Sequence, residues 1–320
     1  LNRQGNAGLG IEFTALHGTS ITLLPESLKR WGFAKVDVLE AQATPDGNFP
    51  TVHSPNPEEP AALALAVARA EELGYDFVVG CDPDSDRVGI AVRNDHGDLV
   101  LLNGNQAAAV LMDYVLAQRS AQGSMPANPF VASTVVTSPL LLRVAEHYGV
   151  EATETLTGFK WIAEQIRLRE GKQTFVVGGE ESYGYLGCDF VRDKDANGAA
   201  VMFAEVAAYA KSVGLTLPGL LDQIYMQFGY FLEVGKSLVM EGADGAAKIA
   251  ALAASYAAHP PEVCDGSAVV RVRDFSSQDL YDEEGDALPK EKMLFVDLAD
   301  GRRFAVRPSG TEPKIKFYLF

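Results

Sequence analysis

The sequence predicts an α/β protein: two related α/β units with parallel or mixed sheets, then a smaller C-terminal α+β domain. Three observations carry this. Short apolar runs alternate with helical patterns over most of the chain, which implies strand–helix–strand units and a parallel sheet covered by helices. The run Phe77-Val78-Val79-Gly80 returns as Phe175-Val176-Val177-Gly178, and each feeds a polar loop. Four matching residues are weak evidence of a repeat alone, but the same order of elements surrounds both. Beyond residue 228 the character changes to an alanine-rich helix among strands and turns. The expected domains are therefore 1–102, 103–228 and 229–320.

Residues 1–10 are glycine-rich and polar and read as a linker. Residues 11–16 alternate like a strand, His17-Gly18-Thr19-Ser20 is a loop, and 21–31 form a helix stopped by Gly32. Residues 35–40 are a strand, followed by an irregular stretch. Asn56-Pro57-Glu58-Glu59 opens a helix, with Asn as cap, Pro at its first position and acids at the positive end. Leu63, Val67 and Ala70 give that helix an apolar face, and Gly74 closes it. Strands at 77–80 and 88–92 then flank an acidic loop.

In the second unit a helix at 106–118 leads through small residues to a strand at 131–136. Ser138-Pro139 caps a helix ending at Gly149, and 151–155 is a strand. Thr157-Gly158-Phe159-Lys160 opens a helix to about residue 169, the second F-V-V-G strand follows, and helices at 199–213 and 217–228 finish the unit. The last third reads as a strand at 230–240, a helix at 243–259, and strands with turns at Glu284-Gly285 and Asp300-Gly301. Its final turn, Arg307-Pro308-Ser309-Gly310-Thr311-Glu312-Pro313, lies between strands at 303–306 and 315–320.

Composition narrows the function classes. At 320 residues, with 47% hydrophobic and 22% charged, the chain has material for a large core. No apolar stretch reaches membrane length. A formal charge of −16 disfavours nucleic acid and anionic membranes as partners, so an anionic substrate needs local basic clusters. Cys81, Cys188 and Cys264 give neither a disulfide framework nor a zinc pattern, and no signal peptide is present. A cytoplasmic location is expected. The chain starts at Leu1 without Met and stops at Phe320 within a strand-like run, so both ends read as cut.

Asp82-Pro83-Asp84-Ser85-Asp86-Arg87 sits at a strand's carboxyl end, where open α/β sheets bind ligands. Three hard oxygen donors from one tight loop suit Mg²⁺, and Arg87 stands ready for an anion bridging to the metal. An EF-hand is rejected, because Arg87 and Arg93 occupy its glycine and glutamate positions. A dehalogenase-type nucleophile is closer, but Ser85 replaces its Thr or Val. A solvated polar turn is the plain alternative. Arg307-Pro308-Ser309-Gly310-Thr311 has the parts of a phosphate cradle, and equally those of a hairpin turn. Gly179-Glu180-Glu181-Ser182 offers carboxylates and a hydroxyl suited to sugar hydroxyls, or a solvated acidic turn. Lys160 is either a phosphate contact or proton donor, or an exposed lysine at a helix start. His17 reads first as a hydrogen-bonded loop histidine.

Jointly, D-P-D-S-D-R, T-G-F-K, G-E-E-S-Y-G and R-P-S-G-T-E-P-K resemble the α-D-phosphohexomutases over nearly the whole chain. H-G near the start and S-P-N-P-E-E-P (54–60) are similar to the phosphoglucomutase branch. The resemblance implies family domains two, three and four, the last with a TATA-binding-protein-like fold. It implies exchange of glucose 1-phosphate and glucose 6-phosphate, with sugar phosphates as partners. A phosphoserine and glucose 1,6-bisphosphate, as intermediate or activator, belong to that chemistry. By resemblance Asp82, Asp84 and Asp86 hold Mg²⁺, Arg87 sits beside the phosphoryl group, and Lys160 is a candidate acid/base. Glu180 and Ser182 grip sugar hydroxyls. Arg307, Ser309, Gly310 and Thr311 hold the non-reacting phosphate. Mannose or pentose phosphates are alternative substrates, and a non-catalytic sugar-phosphate binder is the rival from another class. The family's T/S-x-S-H-N-P phosphoserine loop does not occur in these residues, so the 320 residues alone are expected to be inactive.

Overall fold

The structure, a computed structural model, describes residues 3, 5–240, 242–277, 290–309 and 314–320. The chain divides into two compact units, Leu1–Tyr230 and Phe231–Phe320.

The first unit holds two sheets. The first is built from β1 (Gly10–Thr14), α1 (Leu24–Arg30), β2 (Lys35–Val38), α2 (Pro60–Leu73), β3 (Phe77–Cys81), β4 (Val88–Arg93) and β5 (Leu99–Leu101). Its strand order is β2-β1-β3-β4-β5, with β1 parallel to β2 and β3, and β4 antiparallel to β3 and β5. The second follows from α3 (Gly104–Ala121), β6 (Pro129–Thr134), α4 (Leu140–His147), β7 (Glu151–Thr155), α5 (Phe159–Leu168), β8 (Thr174–Gly179) and β9 (Tyr185–Leu186). Its order is β7-β6-β8-β9, again two parallel pairings about the central β6 and then an antiparallel step. The expected relation between the two units is thus present in topology, with β3 and β8 in equivalent places. Helices α6 (Ala196–Ser212) and α7 (Leu217–Phe228) complete the unit.

Local chemistry explains the boundaries. Asn103 and Gln106 close α3 with reciprocal bonds, a capping box. Asp195 caps α6 by accepting from the Gly198 N–H at 3.0 Å, so the helix starts three residues before the expected 199. Helix α2 begins at Pro60 rather than at Asn56. Asn56 instead caps a preceding turn, accepting from the Glu58 N–H at 3.1 Å. The expected linker is also revised: Asn6 is buried and donates to the Trp31 carbonyl at 2.9 Å, while Gly10 already lies in β1.

The second unit is one antiparallel sheet with a helix on it, the α+β pattern expected. Its elements are β10 (Val234–Val239), α8 (Gly242–Ala258), β11 (Val263–Cys264), β12 (Ser267–Asp274), β13 (Leu294–Leu298), β14 (Arg303–Pro308) and β15 (Lys314–Leu319). The order is β10-β15-β14-β13-β12-β11. Ile249 of α8 packs with Leu294, Val296, Phe304, Val306 and Ile315 on one face. On the other face Phe295 stacks with Phe320, and Arg273 and Arg303 lie over its ring. The turn expected at Glu284-Gly285 lies outside the described residues.

Candidate functional site

The apolar strand β3 is buried throughout and delivers Asp82 at its end with no exposed surface. A carboxylate there needs compensation. The Asp86 and Arg87 N–H groups donate to its Oδ1 at 3.0 and 2.8 Å, and Arg87 Nε donates to Oδ2 at 2.8 Å. Burial still outweighs those bonds and raises the Asp82 pKa to about 6. Asp84 is exposed and Asp86 half-buried, and one oxygen from each of the three lies within 4.8 Å of the others. Three carboxylates so close repel one another unless a cation joins them. The donor set is all hard oxygen on one loop, which fits Mg²⁺ and leaves places for water or phosphate.

The matching strand β8 delivers Glu180, also buried. Glu180 Oε1 accepts from the Gly158 N–H at 3.0 Å, so the Glu180 side chain ties its loop to the Thr157-Gly158 turn. Burial raises the Glu180 pKa, with Lys194 pulling it back. Glu181 follows against α3: a Cβ on Gly104 would stand 1.9 Å from the Glu181 carbonyl oxygen, so only glycine permits this approach. Ser182 is half-buried on the same loop.

The two loops are joined. The Val88 N–H donates to the Tyr183 carbonyl at 3.0 Å, the Ala196 N–H donates to the Ser85 carbonyl at 3.1 Å, and Arg87 bridges Gly184 in antiparallel fashion. Lys194 seals the junction, with its Nζ 2.8 Å from Asp86 Oδ2. The structure therefore brings Asp82, Asp84, Asp86, Arg87, Glu180 and Ser182 into one region. Lys160 is exposed, and its ammonium lies over the Trp161 ring, 4.9 Å from the centroid. His17 is a structural group: Nδ1 bonds the Thr44 carbonyl oxygen and Nε2 the Thr51 hydroxyl.

Two residues of this region escape sequence reasoning. Lys194 reaches Asp86 from a loop more than a hundred positions away, and Glu58 accepts from Arg87 Nη1 at 3.4 Å. The available signal for Lys194 was its place between Asp193 and Asp195, just before a capped helix.

In the second unit Arg307 ends β14, and its Nε donates to Glu291 Oε1 at 2.7 Å. The Ser309 N–H donates to the Lys314 carbonyl at 2.8 Å, closing the hairpin neck. A cavity of about 700 Å³ opens beside Arg307 and Ser309, with Tyr256, Lys290 and Lys292 in its walls. Gly310 and Thr311 lie outside the described residues.

Comparison with known proteins identifies the family of the chain as a whole. Residues 1–97 match the family model for phosphoglucomutase/phosphomannomutase α/β/α domain II, 103–228 match domain III, and 236–319 match the C-terminal domain. A phosphoglucomutase of Staphylococcus aureus (strain MRSA252) is 38% identical over 316 residues, 97% of this chain and 56% of that protein. The chain thus spans about half the length of the relatives it matches. Parafusin, a phosphoglucomutase from Paramecium, superposes with TM-score 0.68 at 20% identity, covering 98% of this chain and 53% of that one. A phosphomannomutase-type protein from Thermus thermophilus gives 0.67 at 19% identity, covering 99% and 58%. These two likenesses speak to fold. No single described helix is long and apolar enough to cross a membrane.

Proposed function

This chain belongs to the phosphoglucomutase/phosphomannomutase family, and from that premise we propose that it forms the metal- and sugar-binding part of a Mg²⁺-dependent phosphoglucomutase. The reaction exchanges glucose 1-phosphate and glucose 6-phosphate through a phosphoserine and glucose 1,6-bisphosphate. The observation that carries the reading is the aspartate trio on a loop hydrogen-bonded to the Glu180 loop.

Asp82, Asp84 and Asp86 hold Mg²⁺, which when bound neutralises charge on the transferring phosphoryl group. Arg87, locked by Asp82, stands beside that group as a fixed cation. Glu180 and Ser182 accept and donate to sugar hydroxyls. Of the two lysines, Lys194 lies beside the metal loop; its pairing with Asp86 outweighs burial and keeps it protonated, so it is the candidate to donate a proton at a sugar oxygen. Lys160 remains the outer candidate. Arg307, Ser309, Gly310 and Thr311 hold the non-reacting phosphate. The identity with named phosphoglucomutases favours glucose over mannose.

These 320 residues contain no S-H-N-P loop, so on this reading they bind but do not turn over alone. Calorimetric titration of the chain with Mg²⁺ and glucose 1,6-bisphosphate, beside a coupled assay with glucose 1-phosphate, tests this. Binding of both without turnover is the expected result. Metal-dependent turnover by this polypeptide overturns the division of labour, and phosphorylation of Asp82 itself would make the protein a dehalogenase-type phosphatase instead.

A further inference from the structure

The aspartate trio sits on a loop whose internal bonds converge on Asp82, from the Ser85, Asp86 and Arg87 N–H groups. Ser85, between Asp84 and Asp86, has a left-handed backbone with φ of 63°, a conformation that non-glycine residues rarely adopt. Carboxylate repulsion adds to that strain. The Ala196 N–H holds the Ser85 carbonyl from outside, and the Ser85 side chain must be fixed from outside too.

The β1–α1 loop does so. The Thr19 N–H donates to the Pro83 carbonyl at 2.9 Å, and Thr19 Oγ1 lies 3.1 Å from the same oxygen and 2.8 Å from Ser85 Oγ. With one proton to give, the Thr19 hydroxyl donates to Pro83 and accepts from Ser85. The approach is close: a Cβ on Gly18 would stand 2.3 Å from Pro83 Cα. Thr19 has a firm base, because the Thr22 hydroxyl donates to its carbonyl at 2.8 Å. Just before it, His17 is pinned by Gln42, Thr44 and Thr51. The Thr19 side chain is exposed, so its packing is not what holds this contact.

We infer that Thr19 is a positioning residue for the cation site: its hydroxyl fixes Ser85 and thereby the spacing of Asp84 and Asp86. The inference rests on the metal reading above. Thr19→Val removes the hydroxyl at nearly constant shape. Two neutral hydrogen bonds of about 1 kcal/mol each correspond to a loss of roughly tenfold in affinity when part is recovered by solvent. The experiment is calorimetric titration of the 320-residue chain with Mg²⁺, and with Mn²⁺ by electron paramagnetic resonance, with melting temperatures recorded. Thr19→Val is expected to weaken both cations about tenfold while lowering its melting temperature by no more than a few degrees, and Thr19→Ser to stay within about twofold of the unaltered chain. Ser85→Ala added to Thr19→Val is expected to cost little more, since the two share one bond. Should the valine variant fail to fold, Thr19→Ala gives the same reading. Cation binding unchanged in folded Thr19→Val overturns the inference and leaves the metal reading standing. No cation uptake by the unaltered chain, matched by Asp84→Asn, overturns both.

Discussion

The loops after β3 and β8 occupy equivalent places in two related sheets, follow the same F-V-V-G strand, and solve opposite problems. After β3 the buried Asp82 is held on both oxygens, by two backbone N–H groups on Oδ1 and the Arg87 guanidinium on Oδ2. After β8 the buried Glu180 has the Gly158 N–H on Oε1, with Lys194 acting on it through charge. One carboxylate is fixed by three protein donors, and the other by a single hydrogen bond and a nearby charge. The lesson is that the shared scaffold sets where a loop stands, while the protein partners of one carboxylate decide how firmly it is held.

The sharpest way to break this contrast is to remove each carboxylate. Asp82→Ala strands Arg87 and two N–H groups, and is expected to cost about 3–5 kcal/mol in urea unfolding. Glu180→Gln removes a carboxylate whose charge is already disfavoured by burial, and is expected to cost less than about 1 kcal/mol while weakening sugar-phosphate binding. Equal losses of stability would erase the distinction.

A second change sharpens it from the other side. Gly104→Ala forces a Cβ into the Glu181 carbonyl and must displace the β8–β9 loop. We expect a stability loss of about 2–3 kcal/mol and weaker glucose 1,6-bisphosphate binding by calorimetry, with Mg²⁺ affinity changed less than sugar-phosphate affinity.

The smallest effect lies beneath the loops. Ile11 pairs with Phe77 and Phe130 with Phe175, yet the next residues are Glu12 in the first sheet and Val131 in the second. Glu12 is buried with neither carboxylate oxygen hydrogen-bonded, facing Asp37 of β2, Arg69 of α2, Val78 of β3 and Tyr75, whose hydroxyl donates to Asp37. Burial first, and then Asp37, raise its pKa from 4.5 to about 7. The folded state therefore holds this proton more tightly than the unfolded chain. The stability from Glu12 is whole below about pH 4.5 and is lost as pH rises through about 7. Glu12→Gln should raise the melting temperature by a few degrees at pH 8 and leave it nearly unchanged at pH 4. A pH-independent difference would rule out this titration.

Much of this was legible in sequence because it is local. The buried strands β3 and β8 announce themselves as apolar runs closed by glycine, and the spacing of Asp82, Asp84 and Asp86 is enough to single them out as candidate cation ligands. The related sheets were readable from element order. What stayed hidden depends on contacts between distant positions. Lys194 meets Asp86, Glu58 meets Arg87, and Thr19 meets Ser85 only after the loops converge. The start of α2 was misplaced because Asn56 caps a turn as readily as a helix, and only Pro60 marks the true first turn. Nor does position alone reveal that Lys160 rests on Trp161 while the neighbouring Gly158 makes the contact with Glu180.

The backbone bonds from Val88 to Tyr183 and from Ala196 to Ser85 also bear on how this molecule can be taken apart. A cut near Asn103 looks natural on the sequence, between two self-similar stretches. It would nonetheless divide a single hydrogen-bonded seam and leave each fragment with unpaired amides and carbonyls at its candidate loop. The two halves share a strand order but are joined at their loops, so a graft from a relative has to carry both loops or neither.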